Sequence, residues 1–481
     1  MRWIGSETFW LTRLAYQRGL ALILLVAFLN AAFEFKPLLG EHGLLPVPRF
    51  TAEVPFASSP SLFYLAPNDT TFTLAAWAGV LLAAIALVGA ADRFGAVLSM
   101  TVWALLWVLY ISFVNTGQIF YGFGWESILL EACFYAIFLG SRRVAPQTIG
   151  IWLLRWLLFR LMFGAGLIKM RGDPCWRDLT CLNYHYETQP MPGPLSWFFH
   201  WAPAWFHKSG VLFNHFGELV APFGYFLPQP ICAMAGAITI AFQALIFAGG
   251  NLSWLNALTM VLAVSTFDDR VLARLLRRRP PATERPAMAH RLATAGVGVL
   301  VVILSIAPVR NMMSPAQVMN TTYNRFHLVG TYGAFGSITR PRYEVIVEGT
   351  EEAMLTPSSK WREYEFRGKP GDLGRMPPQV APYHLRLDWL MWFAPFSASE
   401  AQWWFERFVM KLLDGDRAVL SLLRTNPFPE RPPRYVRALL YEYHFTTPAE
   451  RAATGQWWTR KPAGTYFGPV SRVAEESHSQ P

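Results

Sequence analysis

Long apolar runs separated by short polar loops occupy the first 310 residues of the chain. A helix needs about 20 mainly apolar residues to cross a bilayer, because lipid offers the backbone no hydrogen-bond partner. Runs that meet or approach this length lie at residues 14–35, 71–91, 95–114, 127–140, 148–169, 211–227, 231–248, 252–267 and 292–309. The pattern predicts an α-helical polytopic membrane protein with about nine spans.

The composition agrees with a membrane protein and argues against a nucleic-acid partner. Hydrophobic residues make up 53% of the chain and charged residues only 15%, whereas soluble domains carry roughly 25% charged residues. The net charge is +10, but the arginines are scattered or lie in the loop at 274–286, where basic residues set membrane orientation. We therefore expect contacts with membrane lipids and none with nucleic acid.

The basic residues also predict the orientation of the chain. With a cytoplasmic N-terminus, the inside loops carry more arginine and lysine than the outside loops, above all at 274–286. Nine spans then place the C-terminus outside, together with the loops at 37–70 and 169–210. Alanine- and arginine-rich loops are typical of a bacterial protein, so we expect the bacterial inner membrane, with the C-terminal domain on its outer side.

The character of the chain changes near residue 311, and no further span follows. Period-two alternation and β-rich composition predict strands at residues 343–348, 361–366, 384–389 and 436–446. Apolar residues at helical spacing predict a helix at 397–423. We therefore predict a transmembrane helical domain at 1–310 and a soluble α+β domain at 311–481, with one sheet and a helix on it.

Charged residues lie inside the predicted spans, where they are costly. Arg155 and Arg160 lie in the fifth span, and an arginine at the bilayer centre costs roughly 3 kcal/mol or more, so it needs a buried partner or a function. Glu131 lies at similar depth in the preceding span, which predicts a buried Glu131–Arg160 ion pair, and Arg155 is also expected to form a buried ion pair. Nearer the outer surface, we predict that Glu126 pairs with Lys169. The pairs are structural in one interpretation, and in the other the desolvated Lys169 acts as a general base.

Two cysteines, Cys175 and Cys181, follow the fifth span in a predicted outside loop. Their spacing is wider than the CxxC of redox enzymes, and a bridge between them would stabilise the fold by about 2 kcal/mol in the chain-entropy account. A structural disulfide, a redox-active pair and two free thiols all stay open from the sequence. Cys133 and Cys232 lie in apolar runs and are expected to be plain buried residues. The histidines of this loop include no helix-spaced pair such as HExxH, so no metal site is predicted.

Several long stretches rich in Trp, Cys and His carry a family resemblance. They include FWLTRLAYQRGLALILLVAFLN, SFVNTGQIFYGFGWESILLEA, GAGLIKMRGDPCWRDLTCLNYHYETQPMPGPLSW and YHFTTPAERAATGQWW. Through them the chain resembles the lipase maturation factor family from end to end. The resemblance implies a chaperone-like membrane factor, with no known cofactor, that helps secreted lipases or other exported proteins to fold. Animal relatives are expected in the endoplasmic reticulum membrane.

The resemblance also implies a protein partner, a secreted lipase-like client. The family's C-terminal part is associated with client binding, which corresponds loosely to residues 311–481. Aromatic side chains of the 169–210 loop are the further candidates for client contact. These candidates are Trp176, Tyr184, Tyr186 and Trp197.

A fainter resemblance concerns the single motif GAGLIKMRGDPCW. It is similar to a segment of the vitamin-K-dependent γ-glutamyl carboxylase and of HTTM-type membrane proteins. In those carboxylases a lysine deprotonates a reduced quinone, and by this resemblance the role would fall on Lys169. The alternative function is therefore a quinone- or lipid-linked membrane enzyme, with a quinone as cofactor and with Lys169, His185 and Glu126 as catalytic candidates. The non-catalytic assembly factor is the interpretation we favour.

Overall fold

A computed structural model of the chain describes residues 8–396 and 398–472, of which 398–402 are described by their backbone only. The helices up to residue 313 are α1 Trp10–Asn30, α2 Lys36–Leu39, α3 Val47–Glu53, α4 Asp69–Val88, α5 Ala96–Thr116, α6 Gly124–Phe138, α7 Thr148–Arg171, α8 Leu182–Thr188, α9 Ser196–His200, α10 Ala204–His215, α11 Ile231–Gly249, α12 Leu255–Ala263, α13 Asp269–Leu276, α14 Met288–Leu304 and α15 Ile306–Met313. The elements that follow are β1 Arg342–Thr350, β2 Arg362–Glu363, α16 Arg386–Phe393, α17 Ala398–Leu413, α18 Arg417–Leu420, β3 Tyr435–Phe445, α19 Pro448–Thr454 and β4 Trp458–Val470.

Six helical stretches of the described chain are long and apolar enough to cross a membrane. They are Trp10–Leu39, Asp69–Val88, Ala96–Thr116, Thr148–Arg171, Ile231–Gly249 and Met288–Met313. The chain is thus a polytopic helical protein, but the predicted count of nine spans is not confirmed. The remaining predicted spans coincide with the 15-residue α6, with α10 and the π and 3-10 turns that follow it, and with α12 and one 3-10 turn.

Local sequence explains how the spanning helices end and pack, as α4 illustrates. The side chain of Asn68 accepts a hydrogen bond from the backbone N–H of Thr71 and caps the helix start. Gly89 ends the helix with a left-handed φ of 71°, a conformation that glycine adopts without strain. Gly79 faces Phe28 of α1, and a Cβ there would lie 2.2 Å from the phenylalanine ring. The absent side chain therefore allows α1 and α4 to pack closely.

The C-terminal part contains a four-stranded antiparallel sheet in the order β2-β1-β3-β4. β1 and β3 pair along their length, with Val345 opposite Leu440. The strands predicted at 343–348 and 436–446 are present, and β2 is a short part of the segment predicted at 361–366. The predicted helix at 397–423 is divided into α17 and α18, since Asp416 caps a new helix start. Its predicted first residue lies outside the described residues.

Two elements differ from the sequence prediction. The strand predicted at 384–389 is wrong, because α16 begins at Arg386. The polar residues that alternate with apolar ones there include Arg386 and Asp388, whose side chains are buried and hydrogen-bonded. The alternation therefore does not mark a strand with one solvent-exposed face. β4 was not predicted, because Pro462, Gly464 and Gly468 are residues typical of turns. The structure places them in a strand that, among the described strands, pairs with β3 alone, and proline is tolerated at such an edge.

The sheet rests on the loop at 169–210. The guanidinium of Arg342 at the start of β1 is fully buried and donates to the carbonyl oxygen of Glu187 at 2.8 Å. Trp197 of the same loop donates from Nε1 to the carbonyl oxygen of Thr446 at 2.8 Å. Buried apolar residues of the membrane helices and of the C-terminal part also form one continuous core. The membrane half and the C-terminal half are therefore packed together, with the 169–210 loop between them.

Candidate functional site

The central arginine of α7 lies in a closed cluster of buried polar groups. Arg160 is 1% exposed; it forms an ion pair with Glu131 and donates to the carbonyl oxygen of Gly330 at 2.6 Å. Glu131 also accepts hydrogen bonds from Tyr135 at 2.5 Å and Tyr332 at 2.7 Å. The pair expected from matching depths in adjacent spans is thus formed in the structure. Its carboxylate has several donors, which is how a buried charge is made tolerable.

Arg155 has no carboxylate partner among the described residues, so the expected ion pair at this position is a wrong prediction. Its Nε donates to the carbonyl oxygen of Ser265 at 2.9 Å. Its guanidinium carbon also lies 5.4 Å from the ring centre of Phe9. A backbone carbonyl and an aromatic face therefore replace the predicted acid, and both favour a positive charge.

Lys169 pairs with a residue that the sequence prediction did not consider. Its Nζ lies 2.5 Å from Glu218 and 2.9 Å from Asn214 Oδ1, and all three side chains are buried. Glu218 belongs to the π-helical turn Phe216–Val220 after α10. The predicted pairing of Lys169 with Glu126 is therefore wrong. One signal was available, the acidic residue of GELV inside a predicted span.

Glu126 instead binds the C-terminal half of the chain. It accepts a hydrogen bond from Arg386 Nη1 at 2.8 Å and another from Tyr110. Arg386 is fully buried, donates to Asn30 Oδ1 at 2.7 Å, and lies 3.4 Å from the ring centre of Tyr121. A charge from the C-terminal half thus enters the membrane half. Sequence reasoning missed it, because this contact joins residues 260 positions apart.

Cys175 and Cys181 are joined by a disulfide, and both are buried. Two contacts hold the N-terminal end of the loop that they close. Arg340 pairs with Asp173 at 2.7 Å and holds the pKa of that carboxyl well below its usual range. Trp176 donates from Nε1 to the carbonyl oxygen of Phe335 at 2.9 Å. These contacts and the burial support the interpretation of the disulfide as a staple on the loop.

A cavity of about 370 Å³ lies beside Lys169. His185 and Tyr186 of the loop, Asn214 and Glu218 also line it. Burial, together with the charge of nearby Lys169, lowers the pKa of His185 to about 4, so this imidazole is neutral at neutral pH. Two of the three catalytic candidates, Lys169 and His185, thus share one cavity, whereas Glu126 lies in the Arg386 cluster. Among the described residues, no group of three or more His, Cys, Asp or Glu is arranged to hold a metal ion.

The candidates for client contact fall into two sets. Trp176 and Trp197 are buried, at 3% and 8% exposure, and they hold the loop and the sheet in place. They therefore offer little surface to a partner, contrary to prediction. Tyr184 is 36% exposed beneath the Arg340 guanidinium, and Tyr186 is half-buried at the cavity. Tyr184 is the member of the set that a partner can reach.

Comparisons with known proteins agree over both halves of the chain. A family model described as lipase maturation factor transmembrane domain matches residues 11–274, and one described as lipase maturation factor C-terminal domain matches residues 328–468. The chain is 45% identical to Lipase maturation factor 1 of Bos taurus, over 98% of this chain and 90% of the relative. It is 43% identical to Lipase maturation factor 1 of Homo sapiens, over 97% and 89%, and 29% identical to Lipase maturation factor 2 of Xenopus tropicalis, over 96% and 82%. No solved structure matches.

These findings bear on the two functions expected from the sequence. The matched families and these relatives are lipase maturation factors by name, so the alternative of a quinone-linked enzyme gains no support from them. Beside the cavity, Lys169 is held by Glu218 in an ion pair and donates a hydrogen bond to Asn214.

Proposed function

This chain belongs to the lipase maturation factor family, and on that premise we propose that it is a membrane-embedded, chaperone-like maturation factor for secreted lipases or other exported proteins. The observation that carries the proposal is the extent of the likeness. Relatives named for lipase maturation align with nearly the whole chain, including the C-terminal half. A shared membrane scaffold alone would leave the C-terminal half unmatched.

We further propose that the chain has two domains, at 1–310 and 311–481, and crosses the bilayer nine times. The three shorter helical segments would then span it together with the six long ones. The C-terminal domain and the 169–210 loop would lie on the outer side of the bacterial inner membrane. Two observations support a shared side: the sheet contacts the loop through Arg342 and Trp197, and a disulfide persists in oxidising compartments.

The topology can be tested with single cysteines introduced at exposed positions. Glu351→Cys lies in the proposed outer domain and Arg279→Cys in the proposed cytoplasmic loop. An impermeant maleimide added to intact cells should label the first variant, and it should label the second only after lysis. The unsubstituted chain is the control, since the thiols of Cys133 and Cys232 are buried and Cys175 and Cys181 form a disulfide. The opposite labelling pattern would reverse the proposed orientation.

For the client we propose a lipase-like protein that contacts the outer domain, with Tyr184 as a candidate contact. Tyr184 is exposed on the loop that supports the sheet. Aromatic residues carry much of the binding energy of many protein interfaces. No cofactor is required for this role.

The function is tested by deleting the gene from its host and measuring a secreted lipase. We expect the lipase protein to be made, but most of its activity per molecule to be lost and then restored by the complete gene. A secreted hydrolase outside the lipase class serves as the control for general export. If lipase activity per molecule stays unchanged in the deletion strain, the proposal is wrong.

A further inference from the structure

The cavity beside Lys169 is lined by residues of α6, α7, α10, α11 and α12, by the 169–210 loop, and by residues 320 and 333–335 of the C-terminal half. Leu161, Ala165 and Lys169 of α7 lie on its wall. Their four-residue spacing places them on one helix face. The volume of about 370 Å³ lies within the range of small-molecule pockets, roughly 300–1,000 Å³. This part of the fold therefore has room for a ligand.

Most of the wall is apolar. Ile128, Phe213, Leu252 and Leu255 line it from four different segments. An apolar wall of this kind favours a hydrocarbon group, because burial of each methylene away from water stabilises the complex. A chain that spans a membrane meets such molecules in the surrounding lipid.

One buried acceptor on the cavity wall lacks a donor. Asn256 of α12 is 1% exposed, and its Nδ2 donates to Gln243 Oε1 at 2.7 Å. Its Oδ1 has no hydrogen-bond partner within the part of the chain that is described. A buried acceptor without a donor is unfavourable, because it has lost its hydrogen bonds to water. A ligand with an O–H group would satisfy it.

The charges at the cavity are already balanced. Lys169 and Glu218 neutralise each other at 2.5 Å, and Asn214 donates to the second oxygen of Glu218 at 3.1 Å. His185 is neutral, as derived above. An anionic ligand would have to displace Glu218 from Lys169 and leave a buried carboxylate unpaired, which is costly. The site therefore favours a ligand without net charge.

We propose that this cavity binds one neutral lipid that carries a hydrocarbon chain and free hydroxyl groups. A hydroxyl donates to Asn256 Oδ1, and the hydrocarbon chain covers the apolar wall. The site binds and does not transform its ligand. Its occupation would fill the space between α7, α11 and α12 below the loop that supports the sheet.

The test uses the complete protein in lipid nanodiscs. The probe is monoolein that carries a photoreactive diazirine in its acyl chain. After illumination, peptides that contain α7, α11 or α12 should carry the label. Unlabelled competitors separate the two chemical requirements. Monoolein should compete at least several-fold better than oleate, which is anionic, and better than methyl oleate, which has no hydroxyl donor.

Two substitutions in the cavity sharpen the test. Ala165→Phe fills the space, and Asn256→Leu removes the acceptor. Each should reduce labelling of these peptides several-fold. Ala237→Phe on the exposed face of α11 is the matched control and should leave the labelling unchanged. Folding of each variant is checked by its elution in detergent.

Each outcome decides one part of the proposal. Equal competition by oleate would refute the argument from charge, and equal competition by methyl oleate would refute the argument from Asn256. Labelling of the unsubstituted protein at lipid-facing helices alone, with none at the cavity, would overturn the site itself. The competition experiment needs no variant, so it decides the matter even if a substitution prevents folding.

Discussion

Helix α7 contributes one residue to each of two buried ion pairs, and the two pairs differ in their surroundings. Glu131 and Arg160 lie in a closed cluster, where tyrosine hydroxyls and a backbone carbonyl occupy the neighbouring positions. Lys169 and Glu218 face a cavity of about 370 Å³. The same helix thus carries one buried charge enclosed by protein and another beside open space.

This difference indicates that the two buried ion pairs have different roles. In a closed pair, removing one partner leaves the other charge buried without a counter-charge. A pair beside a cavity has a neighbouring volume that water or a ligand can enter. The closed cluster is therefore a structural feature of the bundle, whereas the cavity is the place to look for binding.

The largest effect is expected at the closed cluster. Arg160→Met leaves the Glu131 carboxylate buried and unpaired, which should destabilise the fold by about 3–5 kcal/mol. The amount of folded protein extracted from membranes should fall sharply, and the folded protein that remains should unfold at a lower temperature. Arg177→Ala, at an exposed position, is the control and should be neutral.

A double variant shows how much of this destabilisation comes from the unpaired charge of Glu131. Replacing both partners, Arg160→Met with Glu131→Leu, removes the unpaired charge and should recover much of the folded protein, since apolar replacement of a buried pair is often tolerated. If Arg160→Met alone accumulates normally, the cluster does not hold the bundle together, and the contrast with the cavity disappears.

The sequence predicted the closed pair better than the cavity pair, for a physical reason. Glu131 and Arg160 lie on consecutive antiparallel helices, so equal depth was enough to match them. Lys169 and Glu218 are 49 positions apart, and Glu218 is presented by a π-helical turn that periodicity does not reveal. Arg386 was missed for the same reason, because its partner, Glu126, belongs to the other half of the chain.

The general architecture was predictable because hydrophobic length and period-two alternation are local signals. They identified the helical membrane half and the paired strands β1 and β3. These signals gave wrong predictions where contacts between residues far apart in the chain determined the structure. The alternation at 384–389 reflects the buried hydrogen-bond partners of Arg386 and Asp388. The proline and glycines of β4 are tolerated because, within the described part of the sheet, that strand pairs on one side only.

A smaller effect is expected at the Lys169–Glu218 pair, which faces the cavity. Lys169→Met should cost about 2 kcal/mol, less than at Arg160, because Asn214 still donates to Glu218 and water can enter the cavity. The double variant Lys169→Met with Glu218→Gln leaves no unpaired charge and should fold close to normally. Thermal unfolding in detergent and lipase activity in the complemented deletion strain are the two measurements.

The double variant also tests the absence of chemistry at Lys169. Because we propose a maturation factor that does not use this lysine as a base, the folded double variant should still restore lipase activity. Complete loss of that activity at normal protein abundance would show that the Lys169–Glu218 pair has a role beyond packing.

The smallest effect concerns the contact between the sheet and the loop. Glu187 of the loop hydrogen bonds to His444 of β3 at 3.2 Å and raises the pKa of that imidazole; Glu442 on β3 acts in the same direction. A raised pKa in the fold means that this contact contributes fully below the ordinary value of 6.5 and is lost as the pH rises through the folded value. His200, which also faces Glu187, has its pKa lowered by burial and acts in the opposite sense at lower pH.

His444 is partly exposed, so solvent screens the contact and the change is small. The melting temperature of the protein should decrease slightly as the pH rises above 6.5, and His444→Gln should abolish this decrease while leaving the high-pH value unchanged. A matched His42→Gln variant, far along the chain in another loop, should keep the full dependence. If His444→Gln retains it as well, other groups set the pH response, and the sheet is held to the loop by Trp197 and Arg342 through contacts that do not titrate in this range.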